Sequence, residues 1–178
     1  MDGVGTDQRP AAAGLHGHRA EAAQLPAEVV ALLDGADLAG RVGLTFELLT
    51  AGADGWPGVA LLSAGEVLAL DASTVRLALW PDTRTTANLG RTGRAVLAFV
   101  HAGGAFSVRL ETCRGCDLRA PARLAVVDGH VAGVRRDAVA YARLRGGITF
   151  DLPDEAAVVS RWAATVRALR THPGCGRA

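Results

Sequence analysis

One carboxylate, three threonines and one arginine, Asp82-Thr83-Arg84-Thr85-Thr86, stand together between two apolar segments. If a helix opens there, its unpaired backbone N–H groups carry partial positive charge and point outward. An anion such as a phosphate then gains hydrogen bonds from amides, threonine hydroxyls and a guanidinium at once. The plainer alternative needs only Asp82 or Thr83 as an N-cap, with the other threonines solvated, and spacing does not choose between the two. Asp82 bears on the choice, because a carboxylate capping Thr85 would occupy the N–H groups that an anion needs and repel it.

The cysteines offer a rival chemistry. Cys113-Arg114-Gly115-Cys116 has the spacing that lets two thiolates grip one zinc ion or close a redox disulfide, and His172 and Cys175 complete a set of four tetrahedral ligands. A thioredoxin-like role needs the pair at a helix start after a strand, whereas the neighbours Val108, Leu110 and Leu118 read as strands joined by a turn. Cys113, Cys116 and Cys175 are therefore expected to be incidental, with no metal assigned. His16 and His18 are expected to be solvated rather than metal ligands. Glu66, His101 and His130 are proton-transfer candidates, but a turn glutamate and two strand-end histidines are ordinarily solvated surface, so none is assigned as catalytic. No Gly-x-Ser-x-Gly elbow, His-Glu-x-x-His pair, Walker loop or dinucleotide glycine pattern occurs.

Composition narrows the classes. A chain of 178 residues with 49% hydrophobic composition can bury one sizeable core. All 19 basic residues are arginine, which excludes a lysine Schiff base or phosphate clamp and leaves the planar guanidinium fork. A net charge of +1 with both signs scattered argues against a nucleic-acid partner. No apolar run approaches membrane-spanning length and no signal-peptide core appears, so a cytoplasmic protein without membrane contact is expected, its three cysteines reduced.

The elements that must position these residues are mostly short strands. Residues 1–24 read as a flexible N-terminal arm, 25–172 as one domain and 173–178 as a tail. Pro26 to Leu33 reads as a short helix covering an open barrel end, with Gly35 past its end. Leu44, Phe46 and Leu48 alternate with Thr45, Glu47 and Leu49 as a first strand, and Gly52 to Gly55 turn into a strand led by Pro57. After a break at Ser63-Ala64-Gly65-Glu66, Val67 to Leu70 precedes a strand in which Val75, Leu77 and Leu79 form a single buried face. Pro81 ends that strand, and a helix of about two to three turns runs from the threonine cluster to Gly93. Arg94 to Val100, Phe106 to Thr112, Arg123 to Val127 and Gly147 to Leu152 are further strand candidates. From Asp154 to Arg170, Val158, Val159, Trp162, Val166 and Leu169 recur at helical spacing as a core or dimer stripe. Short strands with few helices suggest a barrel.

Thr83-Arg84-Thr85, Asn88-Leu89 and Arg94-Ala95-Val96-Leu97-Ala98-Phe99, with Trp56-Pro57-Gly58-Val59-Ala60-Leu61-Leu62-Ser63 upstream, resemble the pyridoxamine 5'-phosphate oxidase-like family of FMN-binding split barrels. The order of elements fits from Leu25 to Leu169, and the specific residues lie between Trp56 and Phe99. The resemblance implies a mainly β fold: a six-stranded, mostly antiparallel split β-barrel with peripheral helices. It implies a homodimer whose two flavins lie in clefts between the subunits. It also implies an FMN-linked oxidoreductase acting on a small molecule, with Thr83, Arg84, Thr85 and Thr86 on the phosphate and Trp80 and Asn88 nearby. Many family members carry Arg or Lys on the Pro-led strand and a second basic residue after the helix-start arginine. This chain has Val59, Ala60 and Leu61 in the first place and Thr85 in the second. The alternative is a non-catalytic split-barrel protein that binds a small ligand or no cofactor, and a zinc-stabilised module rests on the cysteines alone.

Overall fold

The computed structural model describes residues 22–175. His16, His18, nearly all of the expected arm and the last three residues of the expected tail lie outside the described residues. Seven antiparallel strands form one sheet in the order β2-β1-β5-β6-β7-β4-β3. Local chemistry sets the first hairpin. β1 (Thr45–Ala51) and β2 (Pro57–Ser63) pair along their length, and the turn between them is held by the Gly52 amide on the Trp56 carbonyl at 2.8 Å and the Trp56 amide on Asp54 Oδ1 at 3.1 Å. Gly55 sits at φ +83°, where a side chain would be strained. Glu66 then staples the next turn, with one carboxylate oxygen accepting from both the Ser63 amide and the Ser63 hydroxyl at 2.7 Å.

β3 (Val67–Ala69) and β4 (Thr74–Leu79) form the second edge hairpin, and helix α2 (Arg84–Thr92) leads into β5 (Arg94–His101). β5 and β6 (Gly104–Arg114) are joined by Ala102 and Gly103, both with positive φ, as the tightest hairpins require. β7 (Ala125–Asp137) is long enough to pair with β6 on one side and with β4 on the other. Its extra residue opposite the Arg109–Leu110 junction makes a bulge that bends the strand. The curled sheet closes on Phe46, Phe99 and Phe106, whose neighbouring rings are 5.3 Å apart. Helices α1 (Ala27–Leu32) and α3 (Glu155–Thr171) cover the core with Val29, Trp162, Val166 and Leu169, all buried.

The fold is therefore mainly β and split-barrel-like, as expected, with seven strands rather than six because the three-residue β3 forms an edge of its own. Two expectations are corrected. β4 is buried on both faces, not one, because α3 packs over the side that carries Arg76 and Ala78. Gly147 to Leu152 makes no strand, since its apolar residues anchor it by packing: Phe150 meets Trp162 edge-on at 6.3 Å. The Trp162 stripe, expected as a core or dimer contact, lies in the chain's own core, with Trp162, Val166 and Leu169 buried.

Candidate functional site

The first turn of α2 is built by threonines bonding to one another. Thr83 is the N-cap, extended at φ −99° and ψ 163°, and its hydroxyl accepts from the Thr86 amide at 3.3 Å while Thr86 Oγ1 accepts from the Thr83 amide at 3.0 Å. This is a reciprocal capping box with threonine in place of the usual Glu or Gln. The hydroxyl protons are also placed, Thr86 donating to the Thr83 carbonyl at 2.9 Å and Thr83 to the Trp80 carbonyl at 3.3 Å. The hydrogen-bonding capacity of Thr83 and Thr86 is thus largely committed to the helix. Arg84 is exposed and Thr85 half-buried, and among the described residues neither side chain has a hydrogen-bond or ion-pair partner. The amides of these two residues occupy the first helical positions, which have no intrahelical acceptor. One guanidinium, one hydroxyl and two amides are thus left uncommitted at this turn.

Asp82 does not cap the helix. It sits at φ +60° with its carboxylate on Arg123 at 3.4 Å, while Arg123 also pairs with Asp117 at 3.2 Å and Asp117 with Arg114 at 2.7 Å. The hydrogen bond from Arg114, with the charges of both arginines, holds Asp117 below the usual carboxylate range despite some burial cost. The result is an exposed relay of alternating charge beside the helix start.

The Pro-led strand passes close to α2. A side-chain carbon at Gly58 would lie 3.4 Å from Thr50 Oγ1 and 3.6 Å from Asn88 Nδ2, ordinary contact distances. Asn88 donates to Thr50 Oγ1 at 3.1 Å and ties α2 to β1. Trp80, Trp56, Val59 and Leu61 are all more than half exposed around this edge. The structure thus brings Trp80, Thr83, Arg84, Thr85, Thr86 and Asn88 onto one helix and its entry, with Thr83, Thr86 and Asn88 already hydrogen-bonded inside the protein. A separate cleft of about 760 Å³ on the outer sheet face is lined by Leu49, Thr50, Arg94, Val96, Arg109 and Glu111, and apart from the Thr50–Asn88 bond it does not involve them.

Two features escaped the sequence reading. Arg76 is 5% exposed and holds Asp128 with two bonds, Nε to Oδ1 at 2.6 Å and Nη2 to Oδ2 at 3.0 Å. Its Nη1 donates to the Leu169 carbonyl at 2.8 Å and the His172 carbonyl at 2.5 Å, closing the end of α3. A lone arginine within an apolar strand was the available signal, but its partner lies on β7. Cys113 and Cys175, expected to be incidental, form a disulfide. Cys116 remains free and exposed. Among the described residues no group of three or more His, Cys, Asp or Glu is placed to hold a metal. Glu66 is spent on its turn, while His101 ends β5 and His130 lies within β7.

YclD of Bacillus subtilis, an uncharacterized protein, is 36% identical over 144 residues, covering 78% of this chain and 91% of YclD. The chain belongs to the YclD family. No family model matches it. Among solved structures, a Lactobacillus delbrueckii protein named after pyridoxamine 5'-phosphate oxidase superposes with TM-score 0.50 at 19% identity, over 64% of this chain and 94% of that one. A single-site variant of HupZ from group A Streptococcus superposes with TM-score 0.51 at 15% identity, over 64% and 99%. This YclD family member thus has the pyridoxamine 5'-phosphate oxidase-like split-barrel fold, and no helix among its described residues is long and apolar enough to cross a membrane.

Proposed function

We propose that this YclD family member is a cytoplasmic FMN-linked oxidoreductase acting on a small molecule, with the FMN phosphate at the first turn of α2. The observation that supports it most is that turn: Arg84 is exposed, the Arg84 and Thr85 side chains and the two helix-start amides are uncommitted, and the capping box closes the turn on Thr83 and Thr86. Arg84 and the amides would hold the phosphate, and Trp80 offers apolar surface beside it. Bound FMN supplies two-electron redox chemistry, while the chain binds, orients and excludes water. A second copy of the chain would cover the exposed Val59 and Leu61 of the edge strand β2 and complete the cleft as a homodimer.

The second reading, a non-catalytic split barrel with a small ligand or none, is favoured by the absence of cations on β2 and by the committed hydroxyls of Thr83 and Thr86. Flavin fluorescence during FMN titration separates the two. Arg84→Ala removes a charge-assisted bond worth about 1.5–3 kcal/mol, so affinity should fall roughly ten- to a hundredfold. Asp82→Asn should tighten binding with little effect on folding, since Thr83 rather than Asp82 caps the helix and Asn tolerates positive φ. Equal binding by all three proteins places the phosphate elsewhere. No binding by the wild type selects the second reading.

A further inference from the structure

The chain end after α3 is built to lie close against β6, β7 and the buried ion pair. Gly174, at φ +78°, lies against the Arg76–Asp128 pair with no room for a side chain, and a side-chain carbon at Gly115 would fall 2.9 Å from the Gly174 carbonyl oxygen. Two glycines facing each other allow the segments to touch. Two polar contacts then hold the end down, Cys175 N–H on Asp128 Oδ2 at 3.1 Å and the His172 carbonyl on Arg76, while Gly174 N–H on His172 Nδ1 at 2.9 Å folds the strap on itself. The Cys113–Cys175 bond seals this strap across 62 residues of sequence. A second thiol, the exposed Cys116, stands three residues from Cys113 on the loop that leaves β6.

We propose that Cys113, Cys116 and Cys175 form a thiol–disulfide exchange site that sets whether the C-terminal strap is tied or free. The Cys116 thiolate attacks Sγ of Cys113, the Cys113–Cys116 bond forms as the Cys113–Cys175 bond breaks, and Cys175 leaves as a thiolate that takes a proton from water. No electrons enter or leave, so the step needs no outside oxidant or reductant. Gly115 is the residue that lets it happen. The bond requires Cα atoms within about 7 Å, so the loop must fold back, giving up the Gly115 N–H bond to the Val126 carbonyl, now 2.9 Å. Glycine makes that change of backbone without a side-chain clash. Two equivalents of an external thiol would reduce the Cys113–Cys175 bond to two thiols and leave as their own disulfide, which frees the strap by a second route.

The test uses the full chain, purified without reductant, held at a series of pH values, then blocked with N-ethylmaleimide and mapped by mass spectrometry under non-reducing conditions. In the wild type, two bridged species are expected: Cys113–Cys175 with Cys116 alkylated, and Cys113–Cys116 with Cys175 alkylated. The second species should appear faster as pH rises, because the thiolate attacks. Cys116→Ser should show only Cys113–Cys175, and hydrogen exchange at Gly174 and Cys175 should be slower in it than in the wild type. Finding Cys175 unalkylated at every pH in the wild type, or no Cys113–Cys175 bridge in Cys116→Ser, overturns the proposal.

Discussion

Removing the carboxylate of Asp128 is the perturbation whose cost can be worked furthest from the structure. Arg76 makes two of its bonds to Asp128 and the rest to the Leu169 and His172 carbonyls, with side-chain exposures of 6% for Arg76 and 13% for Asp128. Asp128→Ala leaves a guanidinium in this poorly hydrated place with carbonyl dipoles alone. Breaking one side of such a pair costs about 3–5 kcal/mol. For a domain of this size each kcal/mol moves the melting temperature by about 2–4 °C, so the loss should be roughly 6–20 °C by calorimetry. Replacing both partners with apolar groups, Arg76→Met with Asp128→Leu, removes the stranded charge and should recover most of that loss. The reasoning fails if the single variant lies within about 1 kcal/mol of the wild type, the range of ordinary surface changes, or if the double variant is as unstable as the single one.

The same pair fixes a pH dependence. Burial opposes ionisation of Asp128, but the Arg76 hydrogen bond, the Cys175 amide and the charges of Arg76 and His172 outweigh it and hold its carboxyl below the usual range. A depressed folded-state value means that the stabilisation is fully present above the unfolded value of about 3.9 and is lost as pH falls through the folded one. Acid unfolding of the wild type should therefore flatten at low pH in the double variant, which has no proton to take up there.

Thr83→Ala removes the cap of α2 and should cost about 0.5–2 kcal/mol in urea unfolding, with no change expected in the β-sheet signal of the folded protein. Gly65→Val puts a branched side chain where the Trp162 indole already lies, so it should cost about 1–3 kcal/mol by overpacking and alter the near-ultraviolet band of that tryptophan. Light scattering at micromolar concentration should give a dimer mass for the wild type and a monomer mass for Val59→Lys with Leu61→Asp, and a monomer mass for the wild type removes the shared cleft.

Local chemistry made much of the fold readable. The Pro-led hairpin, the helix from Arg84 to Thr92 and the amphipathic helix around Trp162 each carry their own start and stop signals, and each formed within a residue or two of its expected place. The misreadings have a common cause. Which face of β4 is covered depends on α3, about 80 residues later, and whether Phe150 pairs in a sheet or packs on a tryptophan depends on where that helix lies. The candidate site divides in the same way. Thr83 through Thr86 were legible as a helix start and the answer of Thr86 to Thr83 is itself local, but that Arg123 would draw off Asp82 required the loop after Cys116 to be in place. Arg76–Asp128 and Cys113–Cys175 join residues 52 and 62 apart, and no local pattern marks such a pair.

The helix start and the cysteine site are connected by the relay Arg114–Asp117–Arg123–Asp82, which runs from the residue after Cys113 to the residue before the cap. Folding the Gly115 loop back would displace Arg114, leave Asp117 to Arg123 alone and so change how well Asp82 is neutralised beside the proposed phosphate position. The relay's outer members limit the effect. Arg123 and Asp82 are 63% and 75% exposed, and pairs of that kind are worth about 0–1 kcal/mol. The proposed exchange at the cysteines would thus alter the proposed FMN affinity through this route by no more than about fivefold. A larger change on passing from the Cys113–Cys175 form to the Cys113–Cys116 form would have to travel through packing. The small cavity of about 220 Å³ where Cys113, Thr112 and Val127 meet Thr86 and Leu89 of α2 is the contact through which it would pass.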